Sequence, residues 1–236
     1  MKLNSLVGLL LLPFSILVSL AIVVVAVQLI DIGALGWLAL GFMVCGLLHV
    51  ILWSTRRLRW PARGLWSLYH LHVGEHELAH AIFGRLLLAG VAEVKVDPKR
   101  QSYVLLSPPH GFRWAVVLAP FYFPLLTVPL VVLHVLVADI AHQGVLSTLE
   151  FVVGFSLAFH FAGLCYEFRP TTFDVGLVGL LPALSIVLAL NTVYVVAITG
   201  LVTQDQAFMV QLLAAMWKAA LECWEGACAI VRLCVC

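Results

Sequence analysis

Charge is scarce in this chain. Only 11% of its 236 residues are Asp, Glu, Lys or Arg, against roughly a quarter in an ordinary soluble domain. With 63% of residues hydrophobic, there is too little polar surface for a water-soluble fold, so lipid is the solvent for most of the chain. A net charge of +1 gives no basic footprint, which excludes nucleic acid as a partner. The cysteines also lack something. Cys45, Cys165, Cys223, Cys228, Cys234 and Cys236 include no CxxC pair, so neither a zinc knuckle nor a thioredoxin-like motif is on offer. The four near the C-terminus read as free thiols open to acylation. Internal repeats and low-complexity tracts are missing too. The apolar run from Leu6 to Ile30 exceeds the roughly 7–15 residues of a signal-peptide core and has no convincing cleavage site. It reads as a membrane helix that stays attached.

What the chain has instead is a series of apolar stretches of about 20 residues, the length that spans a bilayer. They fall near residues 5–30, 33–54, 66–90, 114–138, 149–167 and 175–201. The expected fold is an all-α polytopic membrane protein with about six transmembrane helices, multi-pass in the cell membrane. Residues 1–65 comprise two additional helices and a basic loop, 66–201 the membrane core, and 202–236 an amphipathic tail lying in the interface. Thr203 is positioned to cap that tail. Arg56, Arg57, Arg59 and Arg63 place their loop in the cytoplasm by the positive-inside rule, with residues 95–101 on the far side. Between Val91 and Asp97, Ala92, Val94 and Val96 alternate with Glu93, Lys95 and Asp97, which is a strand period. Pro98–Gln101 then supplies a turn and Ser102–Leu106 a second strand, predicting a short β-hairpin.

The chemistry concentrates in His76-Glu77-Leu78-Ala79-His80. Residues four apart share one helix face, about 6 Å apart, so His76 and His80 can grip one Zn2+ ion. Glu77, one residue round, is placed to take a proton from water whose pKa zinc has lowered towards neutrality. Random order would produce HExxH in roughly one such chain in a hundred. Three ionisable groups on one membrane helix, each costing on the order of 2.5–3.5 kcal/mol on insertion scales, ask for a compensating purpose. A polar cluster that merely ties helices together is the bland alternative. Glu75, His70 and His72 read as supporting or interfacial groups.

A hydrolytic zinc needs a third protein ligand and an open position. Asp174, in Phe168-Arg-Pro-Thr-Thr-Phe-Asp-Val-Gly176, is the first choice, with Glu167 and His160 as alternatives. Asp174 also suits a helix N-terminus. His160 and His110 are candidate donors to a developing oxyanion, while His134 and Asn191 read as interhelical polar contacts.

The run Gly74-Glu-His-Glu-Leu-Ala-His-Ala-Ile-Phe-Gly84 followed by the hairpin resembles the first core helix of the site-2 protease family of intramembrane zinc metalloproteases. The break around Asp174 resembles that family's third core element. The likeness covers roughly residues 66–200. It implies His76, His80 and Asp174 as zinc ligands, Glu77 as catalytic base, and a hairpin that receives a membrane protein or peptide substrate. Two features depart from the family pattern: no Asn precedes Asp174, and Val175 stands between it and Gly176. The expected activity is therefore zinc-dependent hydrolysis of a peptide bond. The competing expectation is a non-hydrolytic metal-binding transporter or assembly factor.

Overall fold

In lipid, helices satisfy their own backbone polar groups, and the computed structural model is accordingly mostly helical. It describes residues 35–56, 63–87, 91–95, 103–106 and 113–203, with isolated positions between 12 and 20 and at 210, 214 and 218. The apolar segment near 5–30, the arginine loop after Arg56, the hairpin turn, His110 and the tail beyond Thr203 lie wholly or largely outside the described residues. The described elements are α1 (Gly36–Arg56), α2 (Arg63–Leu86), β1 (Val91–Lys95), β2 (Tyr103–Leu106), α3 (Arg113–Tyr122), α4 (Thr127–Val137), α5 (Gln143–Glu167), α6 (Phe173–Val178) and α7 (Leu180–Thr203).

By length and composition α5 and α7 can each cross a membrane, and α3 with α4 make a third span if the bent pair is one element. The apolar part of α1, Gly36–Leu52, is shorter. α2 carries six His and Glu residues between His70 and His80, which lowers its apolarity. The strands pair antiparallel, with Lys95 opposite Tyr103 and an irregularity between Val91 and Glu93. Tyr103 donates its hydroxyl to Glu93 Oε1 at 3.0 Å across that pair.

The stretch expected as one helix over 114–138 is two, bent by 66°. Pro124 explains the break, because it has no N–H to donate and its ring clashes with the preceding turn. The amides freed there find new acceptors, as buried backbone groups require. Thr127 N and Val128 N donate to Pro124 O at 3.0 and 3.1 Å, and Leu126 N donates to Glu75 Oε1 at 3.4 Å. The helix expected over 175–201 is also divided, at Gly179, whose φ of 95° belongs to the left-handed region that glycine tolerates. α5 starts earlier than expected, at Gln143, because the ring of His142 caps it by accepting from Gly144 N at 3.3 Å.

The chain forms two compact units, Gly36–Val178 and Met1–Leu35 with Gly179–Cys236. In the first, α1 and α5 approach until their backbones touch. A Cβ on Gly41 would lie 1.9 Å from Phe151 O, and one on Gly154 would lie 1.9 Å from Leu38 O. Small residues permit this close approach where lipid leaves packing, not hydrophobicity, to drive association. Cys45, Ala158 and Phe159 form a buried cluster beside that seam, with Leu126 and Phe155 against it. Ser156 donates to Thr127 Oγ1 at 3.0 Å between α5 and α4, and His134 faces Glu150 at 3.7 Å across the same pair of helices. In the second unit, α7 satisfies its own polar side chains: Asn191 Nδ2 donates to Val187 O at 2.8 Å and Ser185 to Leu181 O at 2.9 Å.

Candidate metal centre

The site lies wholly within the first unit. α2 sets His76 and His80 on one stripe, and the short α6 brings Asp174 to them. His76 Nε2 and His80 Nε2 are 3.1 Å apart, and Asp174 Oδ2 stands 3.2 Å from the first and 3.4 Å from the second. Three donors at the corners of a near-equilateral triangle fit a common ion. A tetrahedral zinc with bonds of about 2.0–2.1 Å separates its ligand atoms by about 3.3–3.4 Å.

The outer nitrogens of both rings decide which way the inner ones face. His76 Nδ1 lies 2.5 Å from Glu167 Oε2, an acceptor, so that nitrogen carries the proton. His80 Nδ1 lies 2.9 Å from Val116 O, again an acceptor. In its neutral form each ring then turns the lone pair of Nε2 inward, towards the other and towards a carboxylate oxygen. Three lone pairs facing one point repel unless a cation stands between them. Protons serve only if the rings are imidazolium, whereas a divalent ion satisfies all three donors at once. Carboxylates and carbonyls behind metal-binding imidazoles fix the tautomer in this way and raise ligand basicity.

Val116 is free to accept for a reason legible in the chain. In an α-helix its carbonyl would receive the N–H of residue 120, but Pro120 has none. The proline inside α3 thus leaves an acceptor aimed at His80. Glu75 has a parallel task on the other side of the bend, holding the unwound backbone at Leu126. Phe121 packs edge-on against His76 with ring centroids 5.2 Å apart and against Phe168 at 5.4 Å, closing the site with apolar surface.

Glu77 is buried, at 6% exposure. It lies one residue from His76 and three from His80, near enough to interact electrostatically with His76, His80, Asp174 and Glu167.

Of the three residues weighed as the third ligand, the structure brings Asp174 to the inner nitrogens. Glu167 stands behind His76, against Nδ1, and His160 is buried on α5 beside Phe161. Among the described residues, His76, His80 and Asp174 are the group whose ligand atoms converge, all within 4.8 Å. His49 of α1 stands outside the HExxH pattern. It is buried, and its Nε2 lies 3.3 Å from His72 Nε2. Its signal was a lone histidine in an otherwise apolar span.

No family model, no curated protein and no solved structure matches this chain.

Proposed function

We propose that this chain is a membrane-embedded zinc metalloendopeptidase acting on a membrane protein or peptide. The observation that carries the reading is the convergence of two imidazole nitrogens and a carboxylate oxygen at tetrahedral spacing, with the buried Glu77 beside them. His76, His80 and Asp174 would hold the metal. When bound there, zinc supplies a Lewis acid and makes water acidic enough to give up a proton near neutral pH. Glu77 takes the proton from the attacking water and passes it to the leaving amine. Glu167 and Val116 O keep the rings oriented, while Phe121 and Phe168 exclude bulk water. The hairpin offers a strand edge to an unwound substrate segment by β-augmentation. The resemblance to site-2 proteases supports the same assignment, as does the apolar composition, and the proposal takes the chain as multi-pass with about six spans in the cell membrane.

One observation favours the alternative of a non-hydrolytic metal transporter or assembly factor. Buried imidazoles continue beyond the triad, at His72 and His49, and transporters spread ionisable groups along a path. Replacing Glu77 by Gln separates the two. In the protease reading Glu77→Gln keeps its zinc and its fold, but cleavage of membrane proteins, followed by mapping new chain termini in membranes of both forms, falls roughly 10²–10⁴-fold. Equal cleavage patterns in the two membranes would defeat the hydrolytic reading. Loss of zinc would make Glu77 part of the metal cage.

A further inference from the structure

A second pair of imidazoles sits one turn away. His72, His76 and His80 follow one another at four-residue intervals on α2, so they form a single stripe with about 5–6 Å between successive Cβ atoms. Across from His72, α1 contributes His49. The two Nε2 atoms are 3.3 Å apart, close to the 3.1 Å that separates His76 from His80. His49 is set in the way His80 is set: its Nδ1 donates to a backbone carbonyl, Cys45 O, at 2.9 Å, which leaves the lone pair of Nε2 facing His72. Both rings are buried.

The surroundings are shaped to hold His72 in place. Its ring lies flat on Phe159, with centroids 3.7 Å apart and planes within 6°. Gly163 of α5 faces it, and a Cβ there would come within 2.7 Å of His72 Nδ1, so glycine makes the room the ring needs. Tyr166 stands 6.1 Å from His72 and 6.5 Å from His49 by centroid. Two buried histidines directed at each other are costly in lipid, and the Cys45 thiol, 3.6 Å from His49 Nδ1, and the buried His160 are polar groups nearby. The Gly41 and Gly154 contacts join α1 to α5, whereas the imidazole pair joins α1 to α2.

We propose that His49 and His72 form a second transition-metal site, a two-imidazole station from which a divalent ion passes along the α2 stripe to His76, His80 and Asp174. This rests on reading those three residues as the resident metal site. At rest one proton bridges the pair, carried on His72 Nε2 and accepted by His49 Nε2. When the ion arrives, that proton moves to His72 Nδ1, the ring stays neutral, and both Nε2 lone pairs bind metal. No net proton is released. Imidazole ligands suit zinc and its neighbours in the first transition row. With two neutral ligands and no carboxylate, the station holds the ion more weakly than the triad does and so yields it.

The test uses full-length protein in detergent, stripped of metal and then titrated with Co2+ and Zn2+. Wild-type protein is expected to take one tight equivalent and one weak one. His76→Ala/His80→Ala should keep the weak equivalent, and adding His72→Phe, which preserves the stack on Phe159, should remove it. In otherwise intact protein, His72→Phe should slow zinc loading at low metal by about tenfold, since a local donor site raises effective concentration, while final occupancy of the tight site is unchanged. Gly163→Ala, which crowds the ring without deleting a nitrogen, should weaken the second equivalent in the same direction. A double variant that takes no metal, beside a wild type that takes one equivalent, overturns the second site alone, as does loading at equal speed with and without His72. A wild type that takes no metal overturns both sites.

Discussion

The two imidazole pairs of this molecule share a plan and differ in their charge. In both, Nε2 atoms meet at 3.1–3.3 Å and a backbone carbonyl presets one ring. Around His76 and His80 the neighbours are acidic: Asp174 at the inner face, Glu167 at the outer, Glu77 alongside. Around His49 and His72 they are aromatic or neutral: Phe159 and Tyr166, with the Cys45 thiol and His160 close by and no carboxylate in contact among the described residues. A dication leaving water needs negative charge to offset its desolvation, and in a low-dielectric site that charge acts strongly. The acidic pair is therefore built to keep a metal ion, and the aromatic pair to hold one briefly.

The sharpest way to break this contrast is to remove the inner acid. Asp174→Ala leaves the first pair with two neutral ligands, as in the second. Its zinc affinity, measured by competition with a chelating dye, should fall by more than the roughly 10–100-fold that loss of an outer partner costs. His160→Ala, which alters a buried residue close to His72 and outside the triad, should leave it near the wild-type value. If His160→Ala proves the more damaging change, the third ligand has been misassigned.

Next in size is the outer acid. Glu167→Ala removes the acceptor behind His76 Nδ1, frees the ring to turn, and should weaken zinc binding roughly 10–100-fold. Glu167→Gln, which still offers an oxygen to Nδ1, should recover part of that loss. Zinc content that is the same in wild type and both variants would mean that the contact observed here does not orient the ring.

How much of this was legible in the chain depends on whether the signal was local. His76, Glu77 and His80 stand at helical spacing, and that pattern needs no partner to be read. The hairpin was legible by the same logic, since strand alternation from Val91 to Lys95 is a property of one short segment. Asp174 needed a guess, because 94 positions separate it from His80 and only the fold unites them. Glu167 is a ligand candidate by residue type, but its carboxylate lies behind His76, a distinction that depends on which edge of a ring it meets. His49 was missed altogether: four residues after Cys45, it has no helical partner of its own kind, and its significance comes from α2. The bend at Pro124 was there to be seen. Its apolar surroundings outweighed it, because Pro is tolerated in membrane helices where neighbours satisfy the freed amides.

The smallest expected effect tests whether the two pairs are independent. His76, His80, Asp174, Glu167 and the Val116 carbonyl lie on α2, α3, α5 and α6, and none of them on α1. The second pair depends on α1 for His49. Gly154→Ala places a methyl carbon 1.9 Å from Leu38 O, and because that neighbour is backbone, α1 must move away from α5. Overpacking of this kind costs about 1–3 kcal/mol, which thermal unfolding in detergent should register. Gly41→Ala, clashing with Phe151 O from the opposite side of the seam, should do the same. His49 lies roughly 16 Å along α1 from Leu38, at 1.5 Å per residue, so the displacement reaching it is attenuated. Zinc loading should slow by less than in His72→Phe. Zinc content at equilibrium should not change, because the triad and its outer acceptors have kept their places. If Gly154→Ala instead lost tight-site zinc in step with the loading rate, α1 would be supporting the triad as well. The contrast drawn between a charged resident site and an aromatic station would then collapse into one extended site.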